Sequence, residues 1–291
     1  MIIAKLKGGL GNQMFQYALG RVLSIKNNAT LAFDVSFYNA SPNPKREYDL
    51  PVFNIVGEIL DDRAIPLLYR ESKNKLLNNF FKLIRKLFLK HRGSERSFSF
   101  DEKALSLGPN AYLDGYWQSP KYFTDFENVI RKDFTLKNPP ASNIQNLANE
   151  ILSLNAICIH VRRGDYVGNK YHEVVNNDYY KTGLEKIYGM TAIEKIYIFS
   201  DDIGWCKENL SFGMSAMFVG DEYAGIKGEG HMYLMSCCKN FIIANSSFSW
   251  WAAWLSNYEK KIVICPRQWF GDASINTSDL IPEGWIPLEI I

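Results

Sequence analysis

Short apolar runs alternate along the chain with stretches in which apolar residues recur at helical spacing. The N-terminal run MIIAKL predicts a strand, and GGLGN predicts a glycine turn. QMFQYALGRVLSIKNN predicts a helix with apolar positions at Met14, Tyr17, Ala18, Val22 and Ile25. TLAFDVS predicts the next strand. A strand, a glycine-rich loop, a helix and a second strand in this order indicate a Rossmann-like domain.

The same order starts again after the proline-containing segment LKNPPASN. Strands are predicted at AICIHV, KIYIFSDD, AMFVG, FIIAN and, last in the chain, KIVICP. Helices are predicted at NNDYYKTGLEKIYGM, HMYLMSCCKN and SSFSWWAAWLS. A chain of 291 residues is long for one core and suits two domains. We therefore expect an α/β protein with one domain over residues 1–145 and another over 146–291.

A basic amphipathic helix interrupts this plan near residues 74–92. One helical arc is apolar, with Leu76, Leu77, Phe80, Phe81, Leu83, Ile84, Leu87 and Phe88. The other arc is basic, with Lys75, Lys82, Arg85, Lys86 and Lys90. The pattern favours a surface helix that packs its apolar arc on the first domain. Residues 72–94 contain no acidic residue, however, so the alternative is a helix that touches the anionic surface of a membrane.

Composition narrows the class of protein. Hydrophobic residues make up 47% and charged residues 22% of the chain, which is typical of a globular protein. The net charge of +2 gives no support to nucleic-acid binding. Five cysteines, Cys158, Cys206, Cys237, Cys238 and Cys265, form an odd set without metal-ligand spacing. The adjacent Cys237 and Cys238 lie in an apolar helical pattern and are expected as buried free thiols.

The N-terminal segment MIIAKLKGGLGNQ lacks the apolar core of a signal peptide, and no stretch is long enough to span a bilayer. We therefore expect a cytoplasmic, reduced protein. If the basic helix touches lipid, the protein would be peripheral on the cytoplasmic face of the inner membrane.

Two arginines follow a predicted strand in the segment ICIHVRRGDYVG. Ligands of open α/β sheets bind at the carboxyl ends of strands, and the arginine fork matches phosphate oxygens. Arg162 and Arg163 are therefore candidate phosphate ligands. The alternative is a surface ion pair with Asp165.

A second candidate anion site lies in NSSFSWW, between the predicted strand FIIAN and a helix. Backbone N–H groups and serine hydroxyls at a helix N-terminus suit a phosphate. The alternative is a plain capped helix with Ser246 or Ser247 as its cap. Both features follow strands of one sheet, which favours the diphosphate of a nucleotide as the ligand.

Neither a dinucleotide fingerprint nor a metal site is indicated. The motif that begins with GGLGN has Met14 at the position where the fingerprint requires its third glycine. The Gly-Lys-Ser/Thr phosphate loop is absent. Two adjacent acids in FSDD have no histidine near them to complete a metal set. We expect no cofactor and no required metal.

Six motifs resemble the bacterial α-1,2-fucosyltransferases of glycosyltransferase family 11. In chain order they are GGLGNQMFQYALG, GYWQSPKYF, IHVRRGDYV, NNDYYKTGLEKI, IFSDD and LMSCCKNFIIANSSFSWWAAWL, between residue 5 and about residue 269. The IHVRRGDYV element also resembles the donor site of α-1,6- and protein O-fucosyltransferases. The resemblance implies a GT-B-type α/β fold with two Rossmann-like domains facing a cleft. It implies metal-independent transfer of fucose from GDP-fucose to a galactose hydroxyl, with inversion.

The resemblance also implies roles for particular residues. His160 and Arg162 would contact the diphosphate, with Arg162 on the leaving β-phosphate, and Arg163 would support the loop or the guanosine. Asn12 matches an asparagine at the reaction centre of protein O-fucosyltransferases. Asp202 would hold the nucleotide or brace the arginines. Further donors to the phosphates would be Ser246, Ser247 and Phe248.

Two questions stay open: which residues recognise guanine, and which residue acts as the general base. Relatives usually carry an aspartate, which accepts hydrogen bonds from guanine, where this chain has His231. Either Glu229 substitutes or other groups bind guanine. The acceptor hydroxyl loses a proton, for which Asp165, His172 and Glu173 are candidate bases; Asp165 is alternatively structural.

The acceptor side is marked by aromatic residues. Tyr116 and Trp117 in DGYWQSPKYF suit the apolar face of a sugar ring, although core packing is the commoner fate of such residues. The expected acceptor is a galactose-terminated oligosaccharide or lipid-linked glycan, as in O-antigen synthesis. The alternative functions are a nucleotide-sugar-binding protein and a transferase that uses a different sugar nucleotide.

Overall fold

The computed structural model describes residues 1–39, 46–65, 69, 75–88, 93–172 and 174–289. The chain divides into two compact units, Met1–Thr135 and Leu136–Ile291. Each unit contains its own parallel sheet with helices, which confirms the predicted α/β class.

Unit 1 is built on a sheet that has four strands in the described residues. The strands are β1 (Ile2–Lys5), β2 (Leu31–Asp34), β3 (Glu58–Ile59) and β4 (Tyr112–Leu113). The helices are α1 (Leu10–Lys26), α2 (Ser36–Asn39), α3 (Lys75–Phe88) and α4 (Glu127–Asp133). All strand pairs are parallel, in the order β3-β2-β1-β4. The neighbours of β1 are therefore β2, which comes next in the chain, and β4, which comes last in this sheet.

The glycine turn between β1 and α1 has a steric cause. Gly8 has a φ of 79°, and a Cβ at this position would lie 2.6 Å from Asn12 Nδ2. A side chain at residue 8 is thus disfavoured both by the left-handed backbone and by the approach of Asn12. The chain turns directly into α1, whose Met14, Phe15, Tyr17 and Ala18 are fully buried.

Unit 2 is built on a parallel sheet with six strands in the described residues, in the order β10-β9-β8-β5-β6-β7. The strands are β5 (Ala156–Val161), β6 (Lys195–Ser200), β7 (Ala216–Phe218), β8 (Asn240–Ile242), β9 (Ile262–Pro266) and β10 (Ile286–Leu288). The helices are α5 (Ser142–Ser153), α6 (Asn177–Tyr188), α7 (Ile203–Asn209), α8 (Glu229–Ser236) and α9 (Ser247–Leu255). Counted from β5, this is the Rossmann strand order, and the direction of winding reverses between β5 and β8. All six residues of β5 are buried, as expected of a central strand covered on both faces.

The last strand of unit 2 differs from the sequence-based expectation. KIVICP was predicted as the last strand, but β10 follows it and pairs with β9. Its Pro287 is tolerated because β10 is an edge strand, and the same proline hides the strand from pattern analysis.

The units divide after Thr135, ahead of the boundary predicted at residue 145. Helix α5 belongs to unit 2 because it packs on α8 and buries Leu147, Ala148 and Ile151. Asn143 Nδ2 also donates to the carbonyl of Glu222, at 2.9 Å.

Helix α3 forms where the amphipathic pattern predicts it, over the described part of residues 74–92. The side chains of Leu76, Phe80 and Leu83 remain 79%, 55% and 52% exposed. The expectation that the apolar arc packs on the first domain is therefore wrong for these three residues.

Candidate active site

The two anion-binding motifs of unit 2 follow adjacent strands. β5 pairs with β6 on one side and with β8 on the other, where Ile159 lies opposite Ile242. The arginine loop follows β5, and α9 follows β8 after a short segment. Because the winding reverses between β5 and β8, their carboxyl ends border the crevice in which α/β sheets bind ligands. The structure thus brings the two motifs to one edge of the sheet.

Arg162 lies between two carboxylates directly after β5. Its Nε and Nη2 donate to Asp165 Oδ1 over 3.1 and 2.6 Å, and its Nη1 lies 3.1 Å from Asp201 Oδ2. Burial acts to lower the pKa of Arg162, but the charges of Asp201 and Asp165 outweigh burial and raise it. The guanidinium is therefore charged and fixed in orientation. These contacts engage three of its five N–H donors.

Asp201 orders the arginine loop, a role that was not assigned from the sequence. Its Oδ1 accepts a hydrogen bond from the backbone N–H of Arg163, and its Oδ2 accepts one from Gly164, both at 2.9 Å. A Cβ at Gly164 would collide with the Asp201 carboxylate, which explains the glycine in RRGD. The signal was present in FSDD, but the pattern did not distinguish Asp201 from Asp202.

Arg163 points to a different set of partners. Its guanidinium carbon lies 3.7 Å from the centre of the Trp205 ring, and its Nε lies 3.2 Å from Asp202 Oδ2. Asp202 is also the N-cap residue of α7, and its side chain accepts the N–H of Trp205 in the first turn of that helix. Asp202 therefore braces Arg163, one of the two roles considered for it. These contacts connect Arg163 to the start of α7.

His160 is buried at the end of β5. Its pKa is lowered to about 3, first by burial and then by the nearby charges of Arg162 and His231. At neutral pH the ring is therefore neutral. Its Nδ1 has no hydrogen-bond partner among the described residues, and its ring lies 6.1 Å from that of Phe248.

The N-terminus of α9 carries the second motif. Ser246 occupies the N-cap position, but its hydroxyl makes no capping hydrogen bond. The first N–H groups of a helix have no partner within the helix, and they favour anions. Ser247 and Phe248 lie in this first turn and are partly exposed. The plain capped helix considered as an alternative is thus not formed through Ser246.

A cavity of about 620 Å³ opens beside the arginine loop. It is lined by Arg162, Arg163 and His172, by Trp205 and by the start of α6. Its volume falls within the range of small-molecule sites, and Arg162 and Arg163 place two guanidinium groups in its wall.

Asn245 holds the wall of this cavity in place. It belongs to the segment NSSFSWW, but no role was assigned to it from the sequence. Its Nδ2 donates to the carbonyls of His172 and Trp269, both at 2.9 Å, while its own carbonyl accepts from the Tyr166 hydroxyl at 3.1 Å. The loop between β5 and α6 and the segment after β9 are thereby both tied to the segment after β8.

The candidate bases have different surroundings. Asp165 accepts two hydrogen bonds from Arg162 through a single oxygen. His172 stacks on Tyr166, with ring centres 4.8 Å apart, and burial lowers its pKa. Its Nδ1 has no hydrogen-bond partner among the described residues. Glu173 lies outside the described residues.

His231 and Glu229 make local contacts at the start of α8. The His231 Nε2 lies 2.9 Å from the carbonyl of Gly220, and its ring meets that of Phe199 edge to face. The Glu229 carboxylate accepts the N–H groups of Ile226 and Lys227 at 3.1 and 2.7 Å. Glu229 is therefore already engaged by the turn before α8.

In unit 1, polar residues gather where the strand order also reverses, at the carboxyl ends of β1 and β4. Lys7 Nζ lies 3.0 Å from Asp114 Oδ1 and 4.8 Å from the centre of the Tyr116 ring. Asn12 accepts a hydrogen bond from Gln118 Nε2 at 2.8 Å, which orients its carboxamide. Asn12 thus lies at the strand edge that borders this crevice of unit 1.

Glu95 holds the segment after β4 and was not found from the sequence. Its two carboxylate oxygens accept the N–H groups of Tyr116 and Trp117 at 2.6 and 2.8 Å. Burial raises the pKa of Glu95, although both hydrogen bonds oppose this effect. Trp117 has a φ of 56°, which is strained for a bulky residue. Its side chain is 2% exposed, so it has the core position considered as the alternative, whereas Tyr116 is only partly buried.

Within the described residues, no group of three His, Cys, Asp or Glu side chains is placed to hold a metal ion. No helix within these ranges is long and apolar enough to cross a membrane.

Comparison with known proteins places the chain among glycosyltransferases. The model of glycosyl transferase family 11 matches residues 1–289. An α-1,2-colitosyltransferase of Escherichia coli is 34% identical over 298 residues, covering 99% of each chain. The O-antigen biosynthesis glycosyltransferase WbnK of Escherichia coli is 32% identical, covering 97% of this chain and 99% of WbnK.

One solved structure supports the fold. The α-1,6-fucosyltransferase NodZ, co-crystallized with GDP, superposes with a TM-score of 0.55 and 17% identity over 87% of this chain and 91% of NodZ. This likeness confirms the predicted GT-B-type fold.

Proposed function

The chain belongs to glycosyltransferase family 11, and from this premise we propose that it transfers L-fucose from GDP-fucose to the 2-hydroxyl of a terminal galactose. The acceptor would be an oligosaccharide or lipid-linked glycan, such as an O-antigen precursor. The similarity to WbnK, an O-antigen biosynthesis glycosyltransferase, supports an acceptor of this class. Fucose as the donor sugar follows from the motifs shared with bacterial α-1,2-fucosyltransferases.

The observation that carries the proposal is the position of Arg162. Its charged, fixed guanidinium follows β5, and the N-terminus of α9 follows the neighbouring strand β8. A diphosphate in this crevice would meet an arginine fork on one side and backbone N–H groups on the other. In this arrangement Ser246, Ser247 and Phe248 contribute the helix-terminal donors, and the His160 ring lies 6.1 Å from that of Phe248.

The chemistry follows from where charge develops. When the bond between fucose and the β-phosphate breaks, negative charge grows on GDP and positive charge on the anomeric carbon. Arg162 stabilises the leaving phosphate because it is already oriented and needs no reorganisation. These protein donors act where other enzymes use Mg²⁺, so we propose that the reaction requires neither metal nor cofactor.

The acceptor hydroxyl attacks from the opposite face and inverts the anomeric centre. Between the two described candidate bases, His172 has the more suitable state, since it is neutral and lines the cavity with Arg162. Asp165 instead orients Arg162. In unit 1, Asn12 and Tyr116 would contact the acceptor, with Glu95 holding the Tyr116 backbone.

A second donor is favoured by one specific comparison. The relative at 34% identity is named an α-1,2-colitosyltransferase, so colitose is the alternative sugar for the same linkage. A nucleotide-sugar-binding protein without activity is the third candidate. It would bind GDP and form no product.

The test is incubation of the purified chain with GDP-fucose or GDP-colitose and a panel of β-galactosides, followed by linkage analysis. We expect fucose on O2 of the terminal galactose. If colitose is found on O2 and no fucose is transferred, the donor would be GDP-colitose and the proposed linkage would stand. Transfer to another hydroxyl, or binding of GDP with no product from either donor, would refute the proposal.

A further inference from the structure

Helix α3 presents an exposed apolar surface, which we call the α3 face and define as Leu76, Leu77, Phe80 and Leu83. These side chains are 79%, 40%, 55% and 52% exposed. Single exposed apolar residues are ordinary on protein surfaces, whereas four large ones on one 14-residue helix are not.

Most of the α3 face lies on one side of the helix. At 100° per residue, Leu76, Phe80 and Leu83 fall within an arc of about 60°, and Leu77 lies about 60° beyond its edge. Phe81 and Ile84, further round the helix from Leu76, are partly buried. The most exposed apolar side chains therefore lie together on one side of the apolar arc.

The charge of the surrounding sequence selects the kind of partner. Residues 72–94 contain no Asp or Glu, while Lys75, Lys82, Arg85 and Lys86 fall, by sequence spacing, on the arc opposite the apolar one. The whole chain has a net charge of only +2, so this segment concentrates positive charge. An apolar stripe bordered by cationic residues is typical of helices that lie in the plane of an anionic bilayer surface.

We propose that α3 binds the surface of an anionic lipid bilayer, with the α3 face inserted at the boundary between headgroups and acyl chains. A second copy of the chain fits this segment less well, because two identical cationic helices would repel each other. The proposal is independent of the donor and the acceptor, since it uses none of the residues assigned to the candidate active site.

The first experiment is flotation of the full chain with vesicles, without sugar nucleotide. We expect binding to mixed phosphatidylcholine and phosphatidylglycerol vesicles at low salt, and weak binding to phosphatidylcholine alone. Combined Leu76→Ser, Phe80→Ser and Leu83→Ser should lower the partition coefficient on the order of 100-fold or more. The matched control is Ile226→Ser in unit 2, which is 88% exposed and should leave binding unchanged.

Two further variants separate the apolar and charged contributions. Arg85→Glu with Lys86→Glu should weaken binding to anionic vesicles and reduce its dependence on salt. An environment-sensitive dye on Phe80→Cys should shift to shorter wavelength with vesicles, and one on Ile226→Cys should not. The native cysteines are all buried, so labelling is selective.

Three results would overturn the proposal. The wild-type chain could ignore anionic vesicles at low salt, or the triple serine variant could bind as well as wild type. Sedimentation could also show a dimer that the triple variant dissociates, in which case the α3 face would be an interface between two chains. Retained transfer activity with lost vesicle binding would support the proposal and leave the proposed function intact.

Discussion

His160 shows how strongly one side chain in the candidate active site depends on its surroundings. Its ring is 5% exposed, its Nδ1 has no hydrogen-bond partner among the described residues, and its pKa is lowered to about 3. Sequence motifs identified His160 as a candidate, but its protonation state depends on burial and on Arg162 and His231, which only the fold brings near.

We predict that unit 2 loses stability as the pH falls from 7 to 5. Between its usual pKa of 6.5 and about 3, His160 binds a proton only in the unfolded state, so acid favours unfolding. At pH 5 the loss from this residue alone approaches about 2 kcal/mol in the free energy of unfolding. Urea titration followed by tryptophan fluorescence measures this loss mainly in unit 2, since Trp117 alone lies in unit 1.

The control for this prediction is to substitute His160 and His172 separately. His160→Gln should flatten the pH dependence, and His172→Gln should preserve most of it, because His172 is only partly buried. An unchanged pH dependence in His160→Gln would show that the ring is not the responsible group.

The elements that carry the sequence motifs were largely predictable from the sequence. In each of them an apolar run marks the strand, and the turn and polar residues directly after it mark the candidate site. AICIHV, the arginine loop and the segment entering α9 lie where apolar runs and turn residues placed them. Asp201, Asn245 and Glu95 were not found, because each acts on a loop that is distant in sequence. Glu95, for example, binds residues 116 and 117 from more than 20 positions upstream.

We predict that Glu95→Gln disturbs the segment after β4 and with it the acceptor. An amide offers one acceptor oxygen where the carboxylate offers two, so one of the N–H groups of Tyr116 and Trp117 loses its partner. Losing a hydrogen bond to a charged group costs about 1.5–3 kcal/mol, which corresponds to a rise in the acceptor KM of roughly 10- to 100-fold. The affinity for GDP, measured by calorimetry, should not change.

Glu102→Gln is the matched control, since Glu102 is an exposed acid of the same unit. If Glu95→Gln lowered the melting temperature but left the acceptor KM at its wild-type value, Glu95 would stabilise unit 1 without positioning the acceptor.

The two Rossmann-like units could be anticipated from the repeated order of strands and helices, but their limits could not. The division falls after Thr135 because α5 packs on α8, a contact that leaves no signal in local periodicity. The exposure of α3 is a further property of the folded chain, since an amphipathic pattern shows that a helix has an apolar face without showing what covers it.

We predict that the enzyme keeps its transfer activity in excess EDTA. Arg162 and the N-terminus of α9 supply the charge stabilisation that a divalent ion would otherwise provide. The initial rate after dialysis against chelator should equal the untreated rate. Complete loss of activity, with recovery on adding Mn²⁺ or Mg²⁺, would contradict this.

The most direct test of the donor site is the turnover rate of Arg162→Lys compared with that of Arg163→Lys. Charge grows on the β-phosphate only as the bond breaks, so Arg162→Lys should reduce kcat by ~10²–10³ and change the Kd for GDP less. A lysine carries the charge but does not reproduce the bidentate fork. Arg163→Lys should act mainly on GDP binding or stability, because Arg163 is held by Trp205 and Asp202. A folded Arg162→Lys enzyme with wild-type kcat, beside an inactive Arg163→Lys enzyme, would contradict the assignment.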